Sequence, residues 1–295
     1  MSAKALPKEE KNAVLGGVLY LVATPIGNLS DLSPRAIKVL SEVDFVAAED
    51  TRNTGKLLTC MGISRPMVSY HEHNKHERGA AIADRLAAGE SCALVSDAGM
   101  PAISDPGEDL VALCAARGIP VTALPGCCAA VTALTLSALP TSHFFFEGFL
   151  PVEKPRRRVR LAALAGILDT MIVYEAPHKL RATLADLAAT LGDTRRVALC
   201  RELTKRNEEI FRTTLGGAIE RYTTEEPRGE YVLVIAGADA PAVSAEVEER
   251  RALTPAEHVA YYEKTGLSRM DAIKAAAKER GMAKNELYRL LCDLK

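Results

Sequence analysis

CALVSDAGMPAISDPG, residues 92–107, decides how the rest of the chain is read. CALVS (92–96) is a short apolar run, the pattern of a strand covered on both faces. SDAGMPAISDPG (96–107) then sets Asp97 and Asp105 among two glycines and two prolines. Glycine lets backbone approach a ligand closely, proline fixes a turn, and a carboxylate at a strand end accepts hydrogen bonds from a ribose or an amine. Asp105-Pro106 also has a plainer reading, as a cap for the helix that follows.

Working outward, VLYLVA (18–23), FVAA (45–48) and PVTAL (120–124) are further strands. Helical patterns separate them: Ser33-Pro34 opens one that runs to about Glu42, and others cover about 51–61, 75–88 and 108–117. Such alternation means parallel strands with crossover helices, an α/β domain. Open α/β sheets hold ligands at the carboxyl ends of their strands. ATPIGNLSD (23–31) and LPG (124–126) are two more turns at that same edge. Neither GxxxxGK[ST] nor GxGxxG is present, which disfavours a P-loop hydrolase and a dinucleotide-binding enzyme.

PVEKPRRRVR (151–160) holds Lys154, Arg156, Arg157, Arg158 and Arg160 against one acid, Glu153, with prolines on both sides, and reads as a basic linker between lobes. Strands then fall at 170–176, 197–203, 209–215 and 231–237, with a helix over 179–191. No crossover helix is evident between 203 and 209, so a hairpin and a mixed sheet are expected. EAPHKL (175–180) puts Glu175 and His178 at a strand-to-helix turn, and CRELTK (200–205) puts Arg201, Glu202 and Lys205 at a strand end. Capping groups or solvated charge are the plain alternatives for both. His71, His73 and His76 in YHEHNKH lack an HExxH pattern or a cysteine partner, so no metal is expected. A Pro/Ala/Glu-rich stretch (238–250) reads as a linker, and Thr254 to Leu294 as three short helices with helix-turn-helix spacing. The expected layout is a disordered tail over 1–16, a lobe over 17–150, the linker 151–160, a lobe over 161–238 and a helical tail over 254–295.

The chain has 295 residues, with 37 Lys+Arg against 38 Asp+Glu, so any nucleic-acid contact must come from local patches. Apolar residues at 48% give ample core, while no Trp and 5% aromatics disfavour base stacking as the main device. Seven cysteines without CxxC spacing read as reduced, buried thiols. The first dozen residues lack the apolar core of a signal peptide. Ile119 to Phe146 carries no charged side chain, but Pro125-Gly126 and Pro140 leave only a helix over about 127–139, too short to span a membrane.

VATPIGNLSDLSPRAIKVLSEVDFVAAEDTR, SDAGMPAISDPG, LPGCCAAVTAL, EGFLP, YEAPHKL, CRELTK and RGEYVLVI, taken in order from about Gly17 to Gly237, closely resemble the ribosomal RNA small subunit methyltransferase I group of the tetrapyrrole methylase superfamily. The resemblance implies two α/β lobes with S-adenosylmethionine in the cleft between them, followed by a small all-α domain. It implies methylation of a cytidine 2'-hydroxyl in the decoding region of 16S ribosomal RNA or the small subunit, by a cytoplasmic homodimer. Relatives that methylate porphyrin-like rings show a GxGxG turn where this chain has Thr24-Pro25-Ile26-Gly27-Asn28, which argues against that alternative. Carried over by position, Pro25, Asp97, Ala98, Gly99, Asp105, Pro125, Gly126, Ala129, Leu203 and Gly237 surround the cofactor. Glu175, His178, Glu202 and Lys205 are candidates for the general base, Arg201 and Lys205 for holding phosphate or ribose, and the cations of 154–160 for RNA contact. A tetrapyrrole-type methylase and a regulator built on the helix-turn-helix are the competing readings.

Overall fold

The computed structural model describes residues 13–238 and 245–293, and the chain divides into two compact units after Ala238. The first unit opens with β1 (Leu19–Val22), α1 (Pro34–Glu42), β2 (Phe45–Ala48), α2 (Thr51–Cys60) and β3 (Met67–Ser69). It continues with α3 (Lys75–Ala87), β4 (Cys92–Val95), α4 (Glu108–Ala116), β5 (Val121–Leu124) and α5 (Ala129–Leu136). These strands form one parallel sheet in the order β3-β2-β4-β1-β5. Side-chain alternation sorts its two faces. Tyr20, Val22, Val46, Ala48, Ala93 and Val95 pack under α1 and α2, while Leu19, Phe45, Ala47, Cys92 and Leu94 pack under α3 and α4. Both faces are therefore buried, which explains the unbroken apolar runs.

The second lobe contains β6 (Phe144–Phe149), α6 (Lys154–Leu164), β7 (Thr170–Glu175), α7 (Pro177–Leu191), β8 (Arg196–Arg201), β9 (Glu209–Thr214), α8 (Leu215–Thr224) and β10 (Tyr231–Ile235). Its sheet runs β6-β7-β10-β8-β9 and is mixed, with β8 and β9 paired as the expected hairpin. β10 lies antiparallel to both of its neighbours. One face carries α6, α7 and α8 over Met171, Val173, Leu199 and Leu233. The other face receives α5, whose Ala130, Ala133 and Leu134 are buried against Ile172, Ala198, Cys200 and Val234. A helix that leaves the first sheet is thus packed on the second.

Several boundaries differ from the sequence expectation. The stretch 151–160 is mostly helix: Pro155 sits in the first turn of α6, Leu161 and Leu164 enter the core, and Arg157 and Arg160 are held by acids. β6 pairs with β7, so the second lobe begins before residue 150. Residues 1–12 of the expected tail lie outside the described residues, whereas Val14 and Leu15 pack on the core and the Leu15 N–H donates to Tyr20 Oη at 2.8 Å. β3 and α8 went unanticipated, and α5 is shorter than 127–139.

In the second unit, α9 (Ala245–Ala252) overlaps the end of the expected linker, whose residues 239–244 lie outside the described ones. α10 (Pro255–Lys264), α11 (Arg269–Arg280) and α12 (Lys284–Asp293) are the three expected helices. Thr254 and Ser268 cap the first two, and Gly281 ends α11 in the left-handed region. Their core is Val259, Ile273, Ala276 and Leu287. Glu279 accepts from Arg250, from the fully buried His258 and from Tyr262, which holds its pKa down to about 2.

Close contact between α5 and the second sheet leaves no room for extra volume. Ala133→Leu should lower the stability to urea unfolding by about 1–3 kcal/mol through overpacking. Val131→Ala on the exposed side of the same helix should change it by less than about 0.5 kcal/mol.

Candidate functional site

β4, β1 and β5 are adjacent, so the loops at their carboxyl ends form one edge. The first two are tied together: the Thr24 N–H donates to Gly99 O at 2.9 Å and the Gly99 N–H to Thr24 O at 3.0 Å. Thr24 Oγ1 also donates to Ser96 O, and Ser96 Oγ to Gly99 O, both at 3.0 Å. On the third loop, Gly126 packs against Ala23, where an added Cβ would lie 2.7 Å from that of Ala23. Gly27 meets the turn Leu203–Lys205 of the second lobe, and an added Cβ there would stand 2.9 Å from Thr204 Oγ1.

Between these loops and the second sheet lies a cleft of about 440 Å³, within the range of a small-molecule site. Asp97, Ala98, Gly99, Ile103 and Asp105 line it from the β4 loop, and Ala129 from α5. Tyr174, Glu175, Leu203 and Glu230 line it from the second lobe, and Phe149 stands at its wall. The lining holds four carboxylates, Asp97, Asp105, Glu175 and Glu230, and no Lys, Arg or His. Like charges crowd one another at the β4 loop. Burial, then the like charges of Glu49 and Asp97, push the Asp105 carboxyl up to about 6. Burial and Asp97 raise Glu49 as well. The site therefore favours a cationic ligand.

Backbone strain gathers around the same cleft. Ala102 and Ser104 in the β4 loop, and Glu202 and Thr204 in the β8–β9 turn, have φ of +68°, +63°, +51° and +65°. Each such residue costs about 1–3 kcal/mol and persists where its surroundings impose it.

Of the residues expected around a cofactor, Asp97, Ala98, Gly99, Asp105, Ala129 and Leu203 line the cleft. Pro25, Pro125 and Gly126 are not among its lining residues and lie in the loops that follow β1 and β5. Gly237 is elsewhere: it follows the far end of β10, against Leu168, and its carbonyl accepts from Arg195. β10 is antiparallel to β8, so its first residues, rather than its last, reach the cleft.

Of the five expected catalytic residues, Glu175 alone lines the cleft. Its Oε1 accepts from the Ala176 N–H at 2.8 Å and its Oε2 from Thr183 Oγ1 at 2.5 Å. Thr183 in turn accepts from Arg157, which also pairs with Asp186 at 2.7 Å. Arg157 therefore braces the cleft wall from behind. His178 is exposed on α7. Arg201 pairs with Glu209. Lys205 Nζ bridges Glu202 at 2.8 Å and Glu230 at 2.9 Å, at the rim. That pairing lowers Glu202; in Lys205 it outweighs burial and raises the pKa.

Tyr174 was missed by the sequence reading. Its Oη accepts from the Ala130 N–H at 3.0 Å, and burial pushes its pKa up to about 12, so it keeps its proton. The expected RNA-contact cations divide. Arg157 and Arg160 are held by Asp186 and Glu147, whereas Lys154, Arg156 and Arg158 are exposed on α6. Arg156 has only a loose, solvent-exposed pairing with Glu153 at 3.8 Å. His71 accepts from Asn74 in the β3–α3 turn, and among the described residues no cluster of His, Cys, Asp or Glu has the form of a metal site.

Residues 18–219 match the family Tetrapyrrole (Corrin/Porphyrin) Methylases, and the chain belongs to that family. Solved structures share the fold. Uroporphyrin-III-C-methyltransferase from Thermus thermophilus superposes with a TM-score of 0.53 at 20% identity, over 74% of this chain and 94% of that one. Diphthine synthase gives 0.57 at 12%, over 74% and 90%. In sequence the chain is much closer to proteins named ribosomal RNA small subunit methyltransferase I. The one from Synechocystis is 47% identical, covering 94% of this chain and 98% of that protein. Those from Bacillus subtilis and Escherichia coli O157:H7 are 46% and 42% identical, each covering 92% of this chain and 93% and 94% of the relative.

Asp105 should titrate near pH 6 when its side-chain carbon is followed by NMR, and Glu49→Gln should lower that midpoint by removing a like charge. A folded pKa above the ordinary 3.8 means that stability falls as pH rises from 3.8 to about 6. Asp105→Asn should therefore stabilise the ligand-free protein against urea at pH 7.5, and not below pH 4.

Proposed function

We propose that this protein is an S-adenosylmethionine-dependent methyltransferase acting on the 2'-hydroxyl of a cytidine in 16S ribosomal RNA, free or in the small subunit. The observation that carries this reading is the likeness to relatives of that name across more than nine-tenths of the chain. The cleft supports it. Its size suits one nucleoside-sized molecule, and Asp97, Asp105 and Glu175, with no Lys, Arg or His among the lining residues, suit a ligand of net positive charge. Ala129, Cys200, Leu203 and Val232 offer an apolar bed, and the Gly99 loop offers backbone.

When bound, S-adenosylmethionine supplies a methyl group already activated by a sulfonium. What remains for the chain is to hold the ribose oxygen in line, exclude water and take up one proton. Orientation alone can contribute on the order of 7 kcal/mol or more. Asp105 is the cleft carboxylate whose charged form is most resisted, so we assign it the proton uptake. Glu175 shapes the wall, because both its oxygens already accept hydrogen bonds. Lys205 fixes the rim through Glu202 and Glu230.

Lys154, Arg156 and Arg158 are the cations of α6 exposed to meet phosphate. Phe144 and Leu168, exposed at the start of β6 and just before β7, offer apolar surface for a homodimer. An enzyme of ribosomal RNA works in the cytoplasm, and no described helix is long and apolar enough to cross a membrane.

Incubation with methyl-labelled S-adenosylmethionine and unmodified 16S RNA, bare or in small subunits, should label one cytidine ribose. Label on no RNA in either state would overturn the reading. Asp105→Asn should slow single-turnover methylation by about a hundredfold or more. Charge reversal of Lys154, Arg156 and Arg158 should weaken RNA binding and flatten its salt dependence by about 0.7–0.9 for each phosphate no longer neutralised.

A further inference from the structure

β6 departs from regular pairing at one point, and that departure sets where Phe149 goes. Phe146 pairs with Ile172 on β7, but Gly148 pairs with Val173 and Phe149 with Tyr174, so one extra residue is inserted. Phe145 and Glu147 face α6, where Glu147 holds Arg160 at 2.6 Å. Strict alternation would send Phe149 to that same face. The inserted residue reverses the alternation and returns Phe149 to the cleft face beside Tyr174. Gly148 makes this possible: its φ is +70°, and an added Cβ would lie 2.8 Å from Ser104 Oγ in the opposite loop.

The result is an aromatic ring at the cleft mouth that the core does not need. Phe149 is 58% exposed although it lines the cleft. Its ring stands edge-to-face on Tyr174 at 5.5 Å, and Tyr174 stands in the same way on Phe146 at 5.2 Å. Tyr174 is itself fixed by the Ala130 N–H. Phe149 is thus an outward ring on a rigid aromatic stack. An exposed aromatic ring at the edge of a ligand cleft is the device on which an unpaired nucleobase stacks.

We propose that Phe149 is the stacking platform for an extruded RNA base at the cleft mouth, holding the target nucleotide so that its ribose reaches inward. This rests on the RNA-methylating reading above. The cofactor takes up a cleft sized for one small ligand, and the cleft carboxylates repel phosphate, so base and phosphates stay at the mouth with only the ribose hydroxyl directed inward. A nucleotide inside folded RNA must leave its stack to be reached, and an exposed ring replaces part of the stacking it loses.

The test compares Phe149→Ala, Phe149→Leu and Phe149→Trp with the parent protein. Readouts are kcat/KM on unmodified small subunits, affinity for S-adenosylhomocysteine by calorimetry, and oligomeric state by light scattering. Phe149→Ala should lower kcat/KM about 5- to 150-fold, the loss of one base stack. Phe149→Trp should restore it, Phe149→Leu should not, and S-adenosylhomocysteine affinity should stay within about twofold throughout. Unchanged kcat/KM in Phe149→Ala would overturn the proposal, as would full activity of Phe149→Leu. A parallel fall in S-adenosylhomocysteine affinity would place the ring in the cofactor site, and a changed oligomeric state would place it in a subunit contact; either also overturns it. A parent protein inactive on RNA would instead remove the RNA reading itself, a result visible before any variant is compared.

Discussion

The burial of α5 on the second sheet is the constraint on which the site depends. The helix leaves the carboxyl edge of the first sheet through Pro125-Gly126 and lays Ala130, Ala133 and Leu134 on the apolar face of β7, β8 and β10. Small side chains let helix and sheet come close, so the two lobes share one core rather than hanging on a flexible join. Three strand-end loops are thereby pressed toward the second lobe, and the space they fail to fill is the cleft. The Ala130–Tyr174 hydrogen bond crosses the same contact and sets a side chain in the wall. Positive φ values at Ala102, Ser104, Glu202 and Thr204 lie in the loops that meet across the same cleft.

Charge is partitioned around this geometry. The overall balance of 37 against 38 conceals an interior rim of carboxylates and an outer helix with exposed cations. For the proposed reaction the partition is useful, since a cationic methyl donor is drawn inward while the RNA backbone is held outside. The same helix shows why charge counting misleads. Arg157 and Arg160 belong to the framework, one bracing Glu175 through Thr183 and the other closing on Glu147, and only their neighbours face outward.

Much of the site was legible in residues 96–107 because Gly and Pro have fixed backbone consequences wherever they stand, and two aspartates at a strand end have few structural duties. Ala129 and Leu203 were reached through the family pattern. Gly237, expected near the cofactor from the family pattern, lies away from this cleft because β10 runs antiparallel to its neighbours and brings its first residues there. β6 stayed hidden because its inserted residue breaks the period of two, and β3 because three residues carry too little pattern. α6 reads as a linker in sequence because five cations in ten residues look solvated, until the acids that hold Arg160 and Arg157, 13 and 29 residues away, are brought beside them.

By itself, then, the sequence determined the α/β class, the parallel first sheet, the hairpin of the second, the capped helices of the tail and the loop that lines the cleft. These follow from local rules: side-chain period, turn chemistry and capping act within a few residues. Only the tertiary structure decided which charges face outward, which end of β10 meets the cleft, and that Tyr174 and Phe149 face it. Those outcomes depend on strand direction, on one inserted residue in β6 and on acids distant in sequence. Each is set by what packs against what, a property that no window of the chain contains.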